Sequence, residues 1–216
     1  MSCFESSTFL KNPSVMNMEY LKKACQQLGW KHELKTENGK QVLYVMNTSE
    51  NSNLYGEFAL KVEGNTVSFN SFYLKNGIQL VERLKNQFYD LNVQYARQTI
   101  LTEFESKGFK YLPVSQFVPD DQIREKFKMV AHSRISEETE KRVEIGFSIL
   151  YDGTIVSDSN YIPEDVHKLA DEAMEAIDKA FGTVRKEGEH IRRKEIPGKY
   201  RNKTYCKAGN KIIAKH

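Results

Sequence analysis

Residues 77–112 read GIQLVERLKNQFYDLNVQYARQTILTEFESKGFKYL, and this stretch decides the fold class. Val81, Leu84, Phe88, Leu91 and Tyr95 recur at alternating spacings of three and four, which places them on one helical face. Gly108 supplies a stop, and the aromatic run behind it leaves as a strand. At about 1.5 Å per residue, a helix from Gly77 to Lys107 runs about 45 Å, more than a small domain covers. Either it breaks near Asp90-Leu91-Asn92, or its end projects and packs against a second subunit. In the second reading Leu84, Phe88, Leu91 and Tyr95 form the interface of a homo-oligomer. The regular spacing drifts to Ile100, Leu101 and Phe104 after about two heptads, which favours ordinary core packing over a sustained coiled coil.

Working outward from that helix, hairpins and caps appear on both sides. Asn17 can cap a helix with apolar positions Tyr20, Leu21, Ala24, Cys25 and Leu28, and Gly29 can end it. Ser7–Leu10 reads as a short strand, Gln41–Met46 as another, and Thr48–Asn53 as a polar connection. Tyr55–Val62 and Thr66–Leu74 flank the turn dipeptide Gly64-Asn65 and predict a hairpin. A second hairpin is predicted by Val143–Tyr151 and Thr154–Ser157 around Asp152-Gly153, with Val143, Ile145, Phe147, Ile149 and Tyr151 alternating.

A helix follows the second hairpin as well. Pro163 suits its first turn, Glu164 and Asp165 complement its dipole, and Gly182 ends it. Its expected buried stripe is Val166, Leu169, Ala170, Ala173, Met174, Ile177 and Phe181. The shared order, hairpin then helix, fits either a duplicated unit or two similar pieces. Asp120–Val130 reads as a short helix with Ile123, Phe127 and Val130 inward, and the polar run 131–142 reads as an exposed connection.

The resulting expectation is an α+β fold: antiparallel hairpins packed by helices, one long helix over about 77–107, and a basic C-terminal tail. Its expected divisions are an α+β domain over 1–130, a charged connection over 131–142, a hairpin–helix unit over 143–184 and the tail over 185–216.

Composition limits the functional classes. The chain has 216 residues, 39% hydrophobic and 28% charged, which suits a globular protein with a core of its own. No apolar run approaches the roughly 20 residues that span a bilayer, and the start lacks a basic-then-apolar leader pattern. Cys3, Cys25 and Cys206 are odd in number and form no CxxC pair, so a reducing, cytoplasmic compartment is expected.

The net charge of +3 is unevenly spread. Residues 185–216 carry 11 Lys/Arg and 3 Asp/Glu, whereas residues 1–184 carry 21 and 26. The tail is either a solvated extension or an arm that meets phosphate or an acidic partner. As an arm, its binding residues are Arg185, Arg192, Arg193, Lys194, Lys199, Tyr200, Arg201, Lys203 and Tyr205, where tyrosine stacking accompanies charge.

Catalytic and metal motifs are lacking. The five histidines show no ligand spacing, so no metal is expected, and no cofactor either. There is no Walker loop, no GxGxxG turn and no GxSxG elbow. Cys25 lies on the apolar stripe of its helix, where a structural thiol is the simpler reading. The paired carboxylates Asp120-Asp121, Glu137-Glu138 and Asp171-Glu172 fall at helix ends or wet faces. The aromatic strand from Val67 to Tyr73 has the look of an RNA-stacking strand but lacks its basic and glycine positions, so core packing is expected.

Four segments carry a family resemblance: MSCFESSTFL at 1–10, YLKKACQQLGW at 20–30, YGEFALKVEGNTVSF at 55–69 and QYARQTILTEFESKGFKYL at 94–112. Together they make residues 1–112 resemble the ycf thirty-five family, a domain of unknown function in plastids, cyanobacteria, other bacteria and phages. Cys3 stands where that family usually has a histidine.

Residues 143–184 resemble a second small family of unknown function, often encoded beside the first, through RVEIGFSILYDGTIV and KAFGTV. The segment from Ser159 to Pro163 replaces that family's glycine-and-cysteine stretch. The resemblance implies an accessory protein that is not an enzyme and docks a protein partner of AAA+ ATPase type. The alternative is a phage-type protein that sequesters a nucleotide or binds nucleic acid through basic side chains. An enzyme of unknown class ranks last.

Overall fold

The computed structural model describes residues 4–11, 13–47, 58–136, 139–159 and 162–181, and the backbone of 201–205. The chain divides into two compact units, 1–92 and 93–216. Each has an antiparallel sheet and helices, which makes the fold α+β as expected.

The first unit contains β1 (Phe4–Thr8), α1 (Met18–Gln27), β2 (Lys31–Glu37), β3 (Lys40–Asn47), β4 (Leu60–Glu63), β5 (Thr66–Asn70) and the first half of α2 (Gly77–Ser106). Its sheet runs β1-β5-β4-β3-β2. Helix α1 starts where expected because the Asn17 side chain accepts from the amides of Glu19 and Tyr20. It buries Leu21, Ala24 and Cys25. The hairpin of β2 and β3 turns on Asn38-Gly39, both with positive φ (50° and 77°). The polar sequence of β2, KHELKTE, had shown no strand pattern.

The second unit contains the other half of α2, then β6 (Lys110–Pro113), β7 (Ile123–Ser136), β8 (Thr139–Leu150), β9 (Ile155–Ser159), α3 (Glu164–Ala180) and β10 (Arg201–Tyr205). Its sheet runs β10-β9-β8-β7-β6. One core joins Ala96, Ile100 and Phe104 of α2, Phe127 and Met129 of β7, Ile145 and Phe147 of β8, and Ala173 and Ile177 of α3.

The two units share a helix, four antiparallel strands in chain order, a second helix and a further strand beside the fourth, but that strand, β1, comes first in the first unit and, as β10, last in the second. Their first helices also end alike. Gly29 and Gly108 have φ of 69° and 85°, and each is followed by a buried aromatic, Trp30 or Phe109, and then a lysine. The amide of Trp30 donates to the Cys25 carbonyl at 2.8 Å, and that of Phe109 to Phe104 at 3.1 Å. Both are Schellman closures, with Phe109 packed edge-on against Phe104.

Helix α2 is unbroken through Asp90–Asn92, so the expected break does not occur. Leu84, Phe88 and Leu91 are buried in the first unit, and Ala96, Ile100 and Phe104 in the core of the second. One helix therefore supplies two cores in succession, which accounts for the drift in its spacing.

Five further expectations are corrected. Residues 123–130 form a strand and not a helix, because Phe127 and Met129 alternate with Lys126 and Lys128 and pair across β8 with Phe147 and Ile145. The helical spacing of Ile123, Phe127 and Val130 was a local coincidence overridden by the ladder. Residues 131–136 and 139–142 are the paired ends of the same hairpin and not a connection. The unit boundary falls within α2 and not there. Strand β5 ends at Asn70 instead of continuing to Leu74. Leu169 of α3 is 37% exposed, outside the buried stripe. The expected connection at 48–53 and the Gly182 stop lie outside the described residues.

Candidate functional site

In the first unit an exposed apolar corner stands where β5 turns into α2. The Asn70 side chain accepts from the Phe72 amide at 3.0 Å, and the Asn70 carbonyl accepts from Tyr73 and Leu74 at 3.2 and 2.9 Å. This turn sends Leu74 into the core and leaves Phe72 and Tyr73 outside, 62% and 51% exposed. Their rings pack edge-on at 5.0 Å, with Lys75 Nζ 5.6 Å from the Phe72 ring. Ile78, in the first turn of α2, is 64% exposed. Phe4, 53% exposed, lies opposite Asn70 on β1.

The open face of the first sheet carries a polar network. Tyr44 donates to Glu37 at 2.6 Å, and Lys61 lies 3.4 Å from Glu37 and 3.3 Å from Glu63. The Tyr44 hydrogen bond lowers the Glu37 pKa and raises that of Tyr44. Tyr44 also meets Phe58 at 5.2 Å, and Phe58 meets Phe4 at 6.1 Å. Lys35, Lys40 and Lys61 are matched by Glu33, Glu37 and Glu63, which leaves this face with no excess of cations for phosphate.

The open face of the second sheet differs. Buried Phe127 and Met129 alternate with Lys126 and Lys128, and buried Ile145 and Phe147 with Glu144, Gly146 and Ser148. Pairing sets Lys126 opposite Ser148, Lys128 opposite Gly146, Lys110 opposite Val130 and His132 opposite Arg142. Glu144 lies 2.6 Å from Lys128 and 2.8 Å from Arg142, and the Lys128 bond lowers its pKa. Gly146 makes room for its neighbour on β9: a Cβ there would stand 2.0 Å from an Asp158 carboxylate oxygen.

Several polar side chains have structural work. Ser133 Oγ lies 2.8 and 2.9 Å from the two Asp165 carboxylate oxygens and so ties β7 to the first turn of α3. Asp152 accepts from the Thr154 amide in the β8–β9 turn at 2.9 Å. Asp120 accepts from Ile123 and Gln122, and these backbone bonds lower its pKa. His167 Nδ1 lies 3.0 Å from Asp171 one turn along α3. Burial pushes the Cys25 thiol up to about 12, as a structural thiol requires. Among the described residues, no group of three or more His, Cys, Asp or Glu is placed to hold a metal, and no helix is long and apolar enough to cross a membrane.

Of the residues expected to bind, Arg185, Arg192, Arg193, Lys194, Lys199 and Tyr200 lie outside the described residues. Arg201, Lys203 and Tyr205 belong to β10, whose backbone pairs with β9. Tyr95, expected at an interface, donates to the Ala180 carbonyl at 3.0 Å and packs on Phe181. The corner at Phe72, Tyr73 and Ile78 was missed. Its signal is two adjacent aromatics, which cannot both face inward on a strand. No protein-family model, curated protein or solved structure matches the chain.

Proposed function

We propose that this is a non-catalytic accessory protein of the cytoplasm that docks a protein partner through the corner formed by Phe72, Tyr73 and Ile78. The observation that carries the reading is the exposure of three large apolar side chains within seven residues, in a turn held by Asn70. Aromatic side chains in a preordered turn are the usual anchors of protein interfaces, since they bury much area at little entropic cost. The resemblance of residues 1–112 to the ycf thirty-five family, whose bacterial members accompany AAA+ ATPases, makes such an ATPase the first partner to test.

The test is co-purification of the tagged chain with its partner, before and after replacing Phe72, Tyr73 and Ile78 together by serine. These side chains lie outside the core, so the melting temperature should hold while the partner is lost. A triple variant that still retains the partner refutes the assignment. A second reading, binding of nucleic acid by basic side chains, is favoured by the lysines on the open face of the second sheet.

A further inference from the structure

We infer that the open face of the second sheet is a track for single-stranded nucleic acid, formed by Lys126, Lys128, Lys110 and Arg142. Lys126 and Lys128 are alternate residues of β7, while Lys110 flanks position 130 from β6 and Arg142 flanks position 132 from β8. Measured along β7, the four cations thus fall at every second residue, about 6.7 Å apart, with Lys110 and Arg142 set one strand spacing, about 4.8 Å, to opposite sides. This is about twice the 3.4 Å axial rise of a stacked strand, so the row meets every second phosphate of such a strand or successive phosphates of an extended one.

Ser148 and Gly146 face Lys126 and Lys128, and the Asp158 carboxylate of β9 occupies the space over Gly146. Glu144 holds Lys128 and Arg142 in place, while Asp158 opposite Gly146 and Glu140, 3.7 Å from His132, are further carboxylates on this face.

Charge segregation supports the same face. Residues 93–184 carry 11 Lys/Arg and 17 Asp/Glu. Helix α3 alone holds six Asp/Glu and two Lys, so the local sign reverses between the helix and the row on the open sheet face. Strand β10, five residues within the basic stretch 185–216 of 11 Lys/Arg and 3 Asp/Glu, pairs with β9 at the edge of this sheet.

The test is fluorescence anisotropy of the full chain with a labelled oligo-dT 20-mer between 50 and 200 mM salt. Reversing Lys126→Glu and Lys128→Glu together should weaken binding roughly tenfold and lower the salt slope by about 1.4, near 0.7 per lost phosphate contact. Glu144→Gln should tighten it. Unchanged melting temperatures show that the fold is kept. The Phe72, Tyr73 and Ile78 triple variant should bind the oligonucleotide normally, which separates this site from partner docking. Three results overturn the assignment: no binding by the full chain, or equal competition by poly-glutamate. The third is loss of binding on reversing Lys207, Lys211 and Lys215 while the Lys126/Lys128 variant binds normally.

Discussion

Replacing Gly77 by alanine should destabilise the protein although alanine is the better helix former. Gly77 opens α2, and a Cβ there would stand 2.3 Å from Cδ2 and Cε2 of Phe69 and 2.8 Å from its Cγ. Carbon atoms meet at about 3.5–4.0 Å, so the ring must move by about an ångström or more. Phe69 is 4% exposed in β5, and its ring cannot swing out to solvent cheaply. Overpacking of this kind costs about 1–3 kcal/mol.

Opposing it is a gain of up to about 1 kcal/mol in helix propensity, reduced at a first helical residue. The overlap wins, leaving a net loss of about 1–2 kcal/mol, or a fall of about 2–8 °C in melting temperature if the protein unfolds in one step. Urea titration followed by circular dichroism measures it. The cause is isolated by a cycle with Phe69→Leu, in which the alanine penalty should shrink by about 1 kcal/mol. A Gly77→Ala protein as stable as the parent, or one equally penalised in both backgrounds, refutes the reasoning.

Gly108→Ala tests backbone strain without overlap: φ is 85° and nothing lies within 4 Å of its Cβ, so the loss should be about 1–2 kcal/mol and smaller for asparagine. Glu125→Gln should stabilise the protein at neutral pH. Burial outweighs the nearby Arg97 and raises the folded-state pKa of Glu125, so its ionised form opposes folding above that value. The advantage of glutamine should vanish as pH falls through the raised pKa, because Glu125 then takes up its proton; a constant or growing advantage in acid contradicts the sign. The lowered pKa values of Glu37, Glu144, Glu172 and Asp120 act oppositely, costing stability as pH falls, but are common to both proteins and cancel. In a Cys3→Ser, Cys206→Ser background, Cys25 should react with a thiol reagent at the rate of unfolding, since burial holds its pKa at about 12; rapid labelling of the native protein would contradict that burial.

Short-range chemistry made part of this structure legible. The Asn17 cap, the Gly29 and Gly108 stops and the Asp152-Gly153 turn each act within a few residues, and each stands where the sequence placed it. Strand β7 was misread because a window containing Ile123, Phe127 and Val130 satisfies both a helical and an alternating pattern. Only the ladder to β8 distinguishes them. The polar ends of that hairpin looked like a connection because strands reaching beyond a core need no apolar alternation.

The candidate sites were less legible than the fold. Phe72 and Tyr73 were assigned to a strand core, yet the turn at Asn70 ends the strand first and turns both outward. The row on the second sheet draws Lys110, Lys126, Lys128 and Arg142 from three strands, and register alone brings them side by side. The tail was visible as charge, but the pairing of β10 with β9 was not.

The sequence by itself determined the α+β class, the long helix and the principal caps and turns, because these follow from contacts within one or two turns of chain. Tertiary structure decided which faces of α2 are buried, that β7 is a strand, and where cations and exposed aromatics gather. Those outcomes depend on partners distant in sequence. Hydrophobic burial and a complete hydrogen-bond ladder choose among local conformations that the isolated segments hold nearly equal.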